Sequence, residues 1–212
     1  MEIKYLGHSS FLIKTKDAKL VTDPFDSKMV GLKFSKQEAD IVTVSHSHAD
    51  HNQVQLIGGN PLAVNWPGQF EKKGIRVSGF RSFHDDKQGA ERGENILYKI
   101  ESEDISFLHC GDLGVIPDDA FIDLIGDVDI LAIPVGGYYT ISADQALAVI
   151  KKIEPAIVIP MHYYQGSIKE LAPVTDFLKK MGLENITPLP KLTIKKEDLT
   201  DQEMKVVTFE IL

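Results

Sequence analysis

Three of the seven histidines and one aspartate fall within the six positions from His46 to His51, in the stretch Val44-Ser45-His46-Ser47-His48-Ala49-Asp50-His51-Asn52. Neutral imidazoles and carboxylates converging at about 2.0–2.2 Å bind zinc and similar divalent ions, and one short loop can supply several of them. At this composition an H-x-H-x-D-H pattern arises by chance in roughly one in a thousand chains of this length, so the stretch is read as a metal site rather than a solvated polar loop. His46 and His48, two positions apart, leave a strand on the same side and can share one ion. Asp50 and His51 reach past it. That suggests a second ion about 3.5–4 Å away, the separation at which two metals grip one nucleophile.

Further donors lie far along the chain. His84, in Ser82-Phe83-His84-Asp85, ends a strand ahead of a glycine-bearing loop and would be the third nitrogen on the first metal. Asp112, in His109-Cys110-Gly111-Asp112-Leu113-Gly114, ends another strand; the flanking glycines permit close backbone approach, and its carboxylate can bridge both ions. His162, in Ile159-Pro160-Met161-His162-Tyr163, would complete the second. Around these, His8 is read either as a hydrogen-bond partner of a ligand or substrate or as a plain turn residue. Asp23 is read as the outer carboxylate that orients a metal-bound imidazole. His109 is expected to support the site rather than ligate. Tyr138 and Tyr139, in Gly136-Gly137-Tyr138-Tyr139-Thr140, offer a hydroxyl for an oxyanion. Arg92 and Asn95 can grip an anionic group, with a structural ion pair as the competing role for Arg92.

These residues need rigid strand ends to hold them. Segments 2–6, 11–15 and 19–22 read as a meander of short strands, and Asp40 to Val44 as a β-branched buried strand feeding the metal loop. Residues 26–40 read as loop with one helical turn. Leu62 to Val64 reads as a strand, Pro67 to Lys73 as a helix with Pro at its first position and Gly74 as its stop, and Trp66 as core. Strands are expected at 75–83, 96–101 and 105–109, with an exposed loop from Asp85 to Glu94. Later, helices over Asp118 to Ile125, Ser142 to Ile153 and Ile168 to Met181, the last bent at Pro173, alternate with strands over Val128 to Pro134 and Ala156 to Pro160. A final strand is expected from Lys205 to Ile211. Early meanders and late strand–helix alternation predict sheets covered by helices in layers.

With 212 residues, 43% hydrophobic and 25% charged, the chain is read as one domain over 1–212 with a sizeable core. No run approaches the roughly 20 apolar residues of a membrane span, and Met1-Glu2-Ile3-Lys4 opens into a strand pattern rather than a signal peptide, so a cytoplasmic location is expected. A single cysteine, Cys110, excludes an intrachain disulfide and a thiolate zinc cage, so the donors must be nitrogen and oxygen; Cys110 itself reads as a small buried residue. A net charge of −8, with basic residues only in pairs, argues against nucleic acid as a partner.

The combined motifs resemble the metallo-β-lactamase superfamily of hydrolases over most of the chain. That resemblance implies an α/β (α+β) protein, a four-layer αββα sandwich with a binuclear site between its sheets. It implies His46, His48 and His84 on one metal, Asp50, His51 and His162 on the other, and Asp112 between them. Leu6-Gly7-His8-Ser9-Ser10, Thr22-Asp23-Pro24 and Pro160-Met161-His162-Tyr163 look similar to the branch holding ascorbate-6-phosphate lactonases and the N-acylphosphatidylethanolamine-hydrolysing phospholipase D. His48 stands where flavodiiron oxidoreductases carry a glutamate, which favours zinc-type hydrolysis over redox iron. Asp112 stands where β-lactamases commonly have a cysteine. The large insertions of RNA-processing members and the helical C-terminal domain of glyoxalase II are not expected, since this length does not readily hold them.

The expected cofactors are two divalent ions, zinc first and manganese as the alternative. The expected reaction is hydrolysis of a small, anionic ester-type substrate (lactone, phosphodiester or carboxylic ester) by a metal-bound hydroxide, with Asp50 orienting it and passing a proton to the leaving group. The rival readings are a non-enzymatic metal or ligand sensor and, behind it, a metal-dependent oxidoreductase.

Overall fold

The computed structural model describes residues 1–183, 186–199 and 203–211. In chain order the described strands are β1 (Glu2–Gly7), β2 (Ser10–Lys14), β3 (Lys19–Thr22), β4 (Gln37–Glu38), β5 (Ile41–Thr43), β6 (Ile57–Gly58), β7 (Leu62–Val64), β8 (Gly68–Lys72), β9 (Ile75–Phe83), β10 (Glu94–Ser102), β11 (Ile105–His109), β12 (Ile130–Pro134), β13 (Ile157–Met161), β14 (Leu192–Thr193) and β15 (Lys205–Val206). The α-helices are α1 (Ser27–Val30), α2 (Asp119–Ile125), α3 (Ala143–Ile153) and α4 (Val174–Lys180). One sheet has the order β14-β1-β2-β3-β5-β7, the other β15-β13-β12-β11-β10-β9-β8, and β4 with β6 makes a separate two-stranded ribbon.

Period-two alternation explains why the first sheet is buried on both faces. On β3, Leu20 enters the main core while Val21 packs with Phe25, Val30 and Phe34 on the opposite face; on β5, Ile41 and Val42 divide the same way. The main core lies between the two sheets, where Ile3, Phe11 and Ile13 share one cluster with Leu97, Ile100 and Phe107. The outer layer of the first sheet is thin, its only α-helix among the described residues being the four-residue α1. The second sheet carries α2, α3 and α4. Ser142 and Gln145 form a reciprocal capping box at the start of α3, whose apolar Ala146, Val149 and Ile150 are buried. The result is the expected αββα sandwich, rich in strand and poor in helix. No described helix is long and apolar enough to cross a membrane.

Four local expectations are corrected. Residues 67–73 do not form a helix: Gly68–Lys72 is β8, paired antiparallel with β9 so that Lys72 faces Ile75. Lys73 and Gly74 between them have φ of 51° and 75°, the positive pair of a two-residue hairpin turn, so Gly74 turns a hairpin rather than stopping a helix. Trp66 is 67% exposed, not core, because it sits in the link between β7 and β8, each an edge strand of its sheet. The helix foreseen from Ile168 begins only at Val174, directly after Pro173. The last strand shrinks to Lys205–Val206, with one isolated bridge between Leu189 and Phe209 beyond it.

Strand direction decides where the chemistry collects. β1, β3 and β5 run the same way in the first sheet, and β9, β11, β12 and β13 run the same way in the second. The loops leaving their C-terminal ends carry His8, Asp23, His46 to His51, His84, Asp112, Tyr139 and His162 respectively. Tyr98, buried on β10, donates its hydroxyl towards Val44 O and Val64 O at 3.1 Å each and so ties the second sheet to the start of the metal loop.

Candidate metal centre

The loop after β5 folds back on itself through a hydrogen bond from His51 N to His48 O at 3.0 Å, and the segment after β3 clamps it through Asp26 N to Ala49 O at 3.1 Å and Gln53 N to Pro24 O at 2.8 Å. This turn brings His46, His48, Asp50 and His51 to one place. From the second sheet, His84 follows β9, and Gly114 packs against it so closely that a Cβ there would lie 2.2 Å from the His84 carbonyl carbon. His162 follows β13 and donates its N–H to His8 O at 2.8 Å, joining the two sheets across the site.

Eight residues thus converge in three overlapping groups: His46 with His48 and His84; His8 with Asp50, His51 and His162; and His46 with His51 and Asp112. Asp112 touches the histidines of both halves. Its Oδ2 lies 3.2 Å from His84 Nε2, 3.1 Å from His162 Nε2 and 3.9 Å from His46 Nε2, and its Oδ1 lies 3.3 Å from His51 Nε2. Donors held around one tetrahedral ion at about 2.0–2.2 Å stand roughly 3.4 Å apart, so these spacings suit shared cations. The unpartnered atoms agree. His46 Nε2, His51 Nε2, His162 Nε2, Asp50 Oδ1 and Asp112 Oδ1 are buried without a hydrogen bond, a costly state that a divalent metal would relieve. The residues present therefore fit a metal centre.

An outer layer fixes the rings. Asp23 Oδ2 accepts from His51 Nδ1 at 2.8 Å and from Ser45 Oγ at 2.5 Å, while Ser45 Oγ lies 2.9 Å from His46 Nδ1. With both Nδ1 atoms engaged, both Nε2 atoms face the centre. Ser45 was missed by the sequence reading, although its place immediately before His46 was the available signal. His8 Nε2 lies 3.2 Å from Asp50 Oδ2. His109 instead reaches away, its Nε2 2.7 Å from Ser9 O.

Charge is distributed as metal binding needs. Burial alone would raise the carboxyl of Asp112, but His162 and His51 beside it prevail and hold it well below the ordinary range. Burial likewise opposes ionisation of Asp50, and its contacts with His51 and His8 hold it low. Burial, reinforced by the charge of His51, depresses His46 to about 3 and so keeps its imidazole neutral. Burial also disfavours charge on His51, but Asp112, Asp23 and Asp50 overcome it and raise that ring. A cation arriving there would take the proton's place.

The centre opens into a cavity of about 510 Å³, reached by His48, Asp50, His84, Asp112 and His162 and lined as well by Arg92, Tyr139, Met29 and Ile168. Two predicted substrate residues are not found there. Tyr138 is 66% exposed and meets Tyr139 edge to face from outside the cavity lining, on a left-handed backbone (φ 57°). Asn95 is fully buried, its Nδ2 donating to Cys110 O at 2.9 Å and its Oδ1 accepting from Asp112 N at 2.9 Å, so it shapes the Asp112 loop and has no amide group free for an anion. Cys110 is buried in the main core, and burial pushes its thiol up.

Known proteins resemble this chain in sequence and fold. A protein of Thermotoga maritima, described as a candidate Zn-dependent hydrolase of the metallo-β-lactamase superfamily, is 34% identical with a TM-score of 0.82, the match covering 100% of this chain and 99% of that one. A UPF0173 metal-dependent hydrolase of Pelotomaculum thermopropionicum is 29% identical over 203 residues, covering 82% of this chain and 89% of the relative. A similar protein of Thermoplasma acidophilum is 28% identical over 187 residues, covering 77% and 83%. The family model for the beta-lactamase superfamily domain matches residues 2–162, a span that takes in every one of the eight converging side chains. By sequence and by fold, the chain belongs to the metallo-β-lactamase superfamily.

Proposed function

We propose that the chain is a binuclear metal-dependent hydrolase that cleaves a small ester-type substrate: a lactone, a phosphodiester or a carboxylic ester. The observation that carries this reading is the set of buried, unpartnered imidazole nitrogens and carboxylate oxygens gathered around Asp112 at the floor of an open cavity. In this reading His46, His48 and His84 hold one ion, Asp50, His51 and His162 hold the other, and Asp112 is shared. Two such ions, zinc by the preference of nitrogen and carboxylate donors, supply a nucleophile at neutral pH and polarise the bond to be cleaved.

The chain's own groups do the rest. His8 braces Asp50 through its Oδ2, leaving the second carboxylate oxygen to orient water. The proton that the attacking water gives up passes to Asp50, which hands it to the leaving oxygen. Tyr139 lines the same cavity and is assigned the hydroxyl that stabilises the developing oxyanion. A cavity beside the donors favours an enzyme over a sensor, whose coordination sphere would be closed. The relatives named as metal-dependent hydrolases support the class. The finer tilt towards a lactone or phosphodiester rests on the Gly7-His8-Ser9, Thr22-Asp23-Pro24 and Met161-His162-Tyr163 segments.

Elemental analysis of protein purified without added metal, with turnover of generic lactone and phosphodiester probes before and after chelation, tests this reading. About two zinc or manganese ions per chain and turnover that disappears with chelator and returns with metal are expected. Failure to take up specific metal on reconstitution, or turnover indifferent to chelator, would overturn it.

A further inference from the structure

The loop from Asp85 to Gly93 is built with more care than a surface connection requires. The buried Asp85 carboxylate accepts four backbone N–H groups: Lys87 at 2.8 Å and Gly89 at 2.9 Å on Oδ1, Glu91 at 3.0 Å and Arg92 at 2.7 Å on Oδ2. The loop closes through Gly93 N to Gly89 O at 3.0 Å, and His84 N donates to Gly93 O at 3.0 Å. Every one of these bonds fixes backbone. Glu91 and Arg92 of this loop both line the cavity, and the Arg92 guanidinium carbon lies 5.4 Å from the centre of the Tyr139 ring. Tyr139 is itself braced by Tyr138, the two ring centroids 4.6 Å apart.

Among the described residues Arg92 is the only lysine or arginine lining this cavity, and it forms no ion pair with any of them. The neighbouring acid Glu91 is engaged by Lys87. Glu170, the other carboxylate outside the metal centre, also lines the cavity; it is exposed to solvent and forms no ion pair with Arg92. A half-buried guanidinium stacked on an aromatic face keeps its planar fork of donors directed outward, the geometry that matches a carboxylate or phosphate. Met29 and Ile168, which also line the cavity, favour a short apolar spacer between that anion and the reacting bond.

We infer that Arg92 is a specificity residue, the anchor of an oxyanion subsite, and that the preferred substrate carries a carboxylate or phosphate group separate from the bond that is cleaved. The inference rests on the hydrolase reading only for where that bond sits. The test compares metal-loaded wild type, Arg92→Ala and Arg92→Lys, matched for metal content, on two esters with the same leaving group: 4-nitrophenyl acetate and the mono-4-nitrophenyl ester of glutarate. Wild type should favour the glutarate ester, and Arg92→Ala should lower the ratio of the two kcat/KM values by about tenfold to a hundredfold, chiefly through KM, with partial recovery in Arg92→Lys. An unchanged ratio would overturn the subsite.

If wild type cleaves neither ester, binding is read instead. Glutarate and inorganic phosphate should each raise the Tm of metal-loaded wild type more than that of Arg92→Ala, the larger shift marking which oxyanion the subsite prefers. Equal shifts in both proteins would overturn the subsite, whereas loss of chelator-sensitive turnover with unequal shifts would overturn only the hydrolase reading.

Discussion

The two sheets supply the candidate centre in opposite ways. The first delivers four donors from a single turn after β5, bound to one another by local hydrogen bonds. The second delivers His84, Asp112 and His162 one at a time, from three strands whose alignment alone decides whether they meet. The turn is a local solution, legible in six residues. The dispersed half is a topological one: β9, β11 and β13 run in one direction, so their C-terminal ends reach the same edge whatever lies between them in sequence. A local site can be weakened by one neighbouring side chain, while a dispersed site depends on sheet register and on the residue where the two halves join.

That residue is Asp112, and removing its charge should break the comparison most severely. In Asp112→Asn the amide loses the anion that four imidazoles surround within 3.1–3.9 Å. Both halves should lose metal together. Under the proposed binuclear reading, metal content should fall from two ions towards none, and turnover by about a thousandfold or more, since metal stabilisation of the transition state is worth several kcal/mol. Elemental analysis beside steady-state kinetics checks this. Retention of one full ion would show the halves to be independent.

A middle-sized effect should come from the outer carboxylate of the local half. Asp23→Ala frees His51 Nδ1 directly and His46 Nδ1 through Ser45, while leaving His84, Asp112 and His162 in place. Outer partners of this kind are worth about ten- to a hundredfold in metal affinity or activity. Titration with metal should show weaker binding by that factor in a folded protein. An affinity equal to wild type would mean that the turn orients its rings without Asp23.

What could be read without a structure follows the same division. The turn announced itself because its donors crowd together, and Asp23 was legible because Pro24 stops the sheet ladder beside it. His84, Asp112 and His162 were recognisable as strand ends, but no periodicity states which ends share an edge. The errors have physical causes. Pro67 with Gly74 seven residues on imitates a capped helix, yet the positive φ of Lys73 and Gly74 makes a hairpin of the same letters. Trp66 was expected in the core on apolarity alone, while its place between two edge strands leaves it exposed. Asn95 reads as a substrate ligand until both ends of its amide are seen bonded to the Asp112 loop.

The smallest effect sharpens the dispersed half from its remote end. Asp129, immediately before β12, aligns that strand with β11: Oδ2 accepts from Ser106 N at 2.8 Å and Ser106 Oγ at 3.1 Å, while Lys196 bonds Oδ1 at 2.7 Å. Burial alone would raise this carboxyl, but Lys196 and the Ser106 groups outweigh it and lower its pKa. A carboxyl lower in the folded than in the unfolded chain adds stability above the unfolded value, near 3.9, and that contribution disappears as pH falls through the folded value. Asp129→Asn should therefore reduce stability at neutral pH, by about 1 kcal/mol or a Tm shift of roughly 2–4 °C, and the gap from wild type should close below about pH 4. Thermal melts from pH 7 to pH 3 measure it, with metal content at pH 7 as the companion readout. Unchanged metal occupancy with lowered Tm would show that strand register at the centre survives a weakened far end; a parallel fall in both would mean that the dispersed donors are positioned by the full length of β11 and β12.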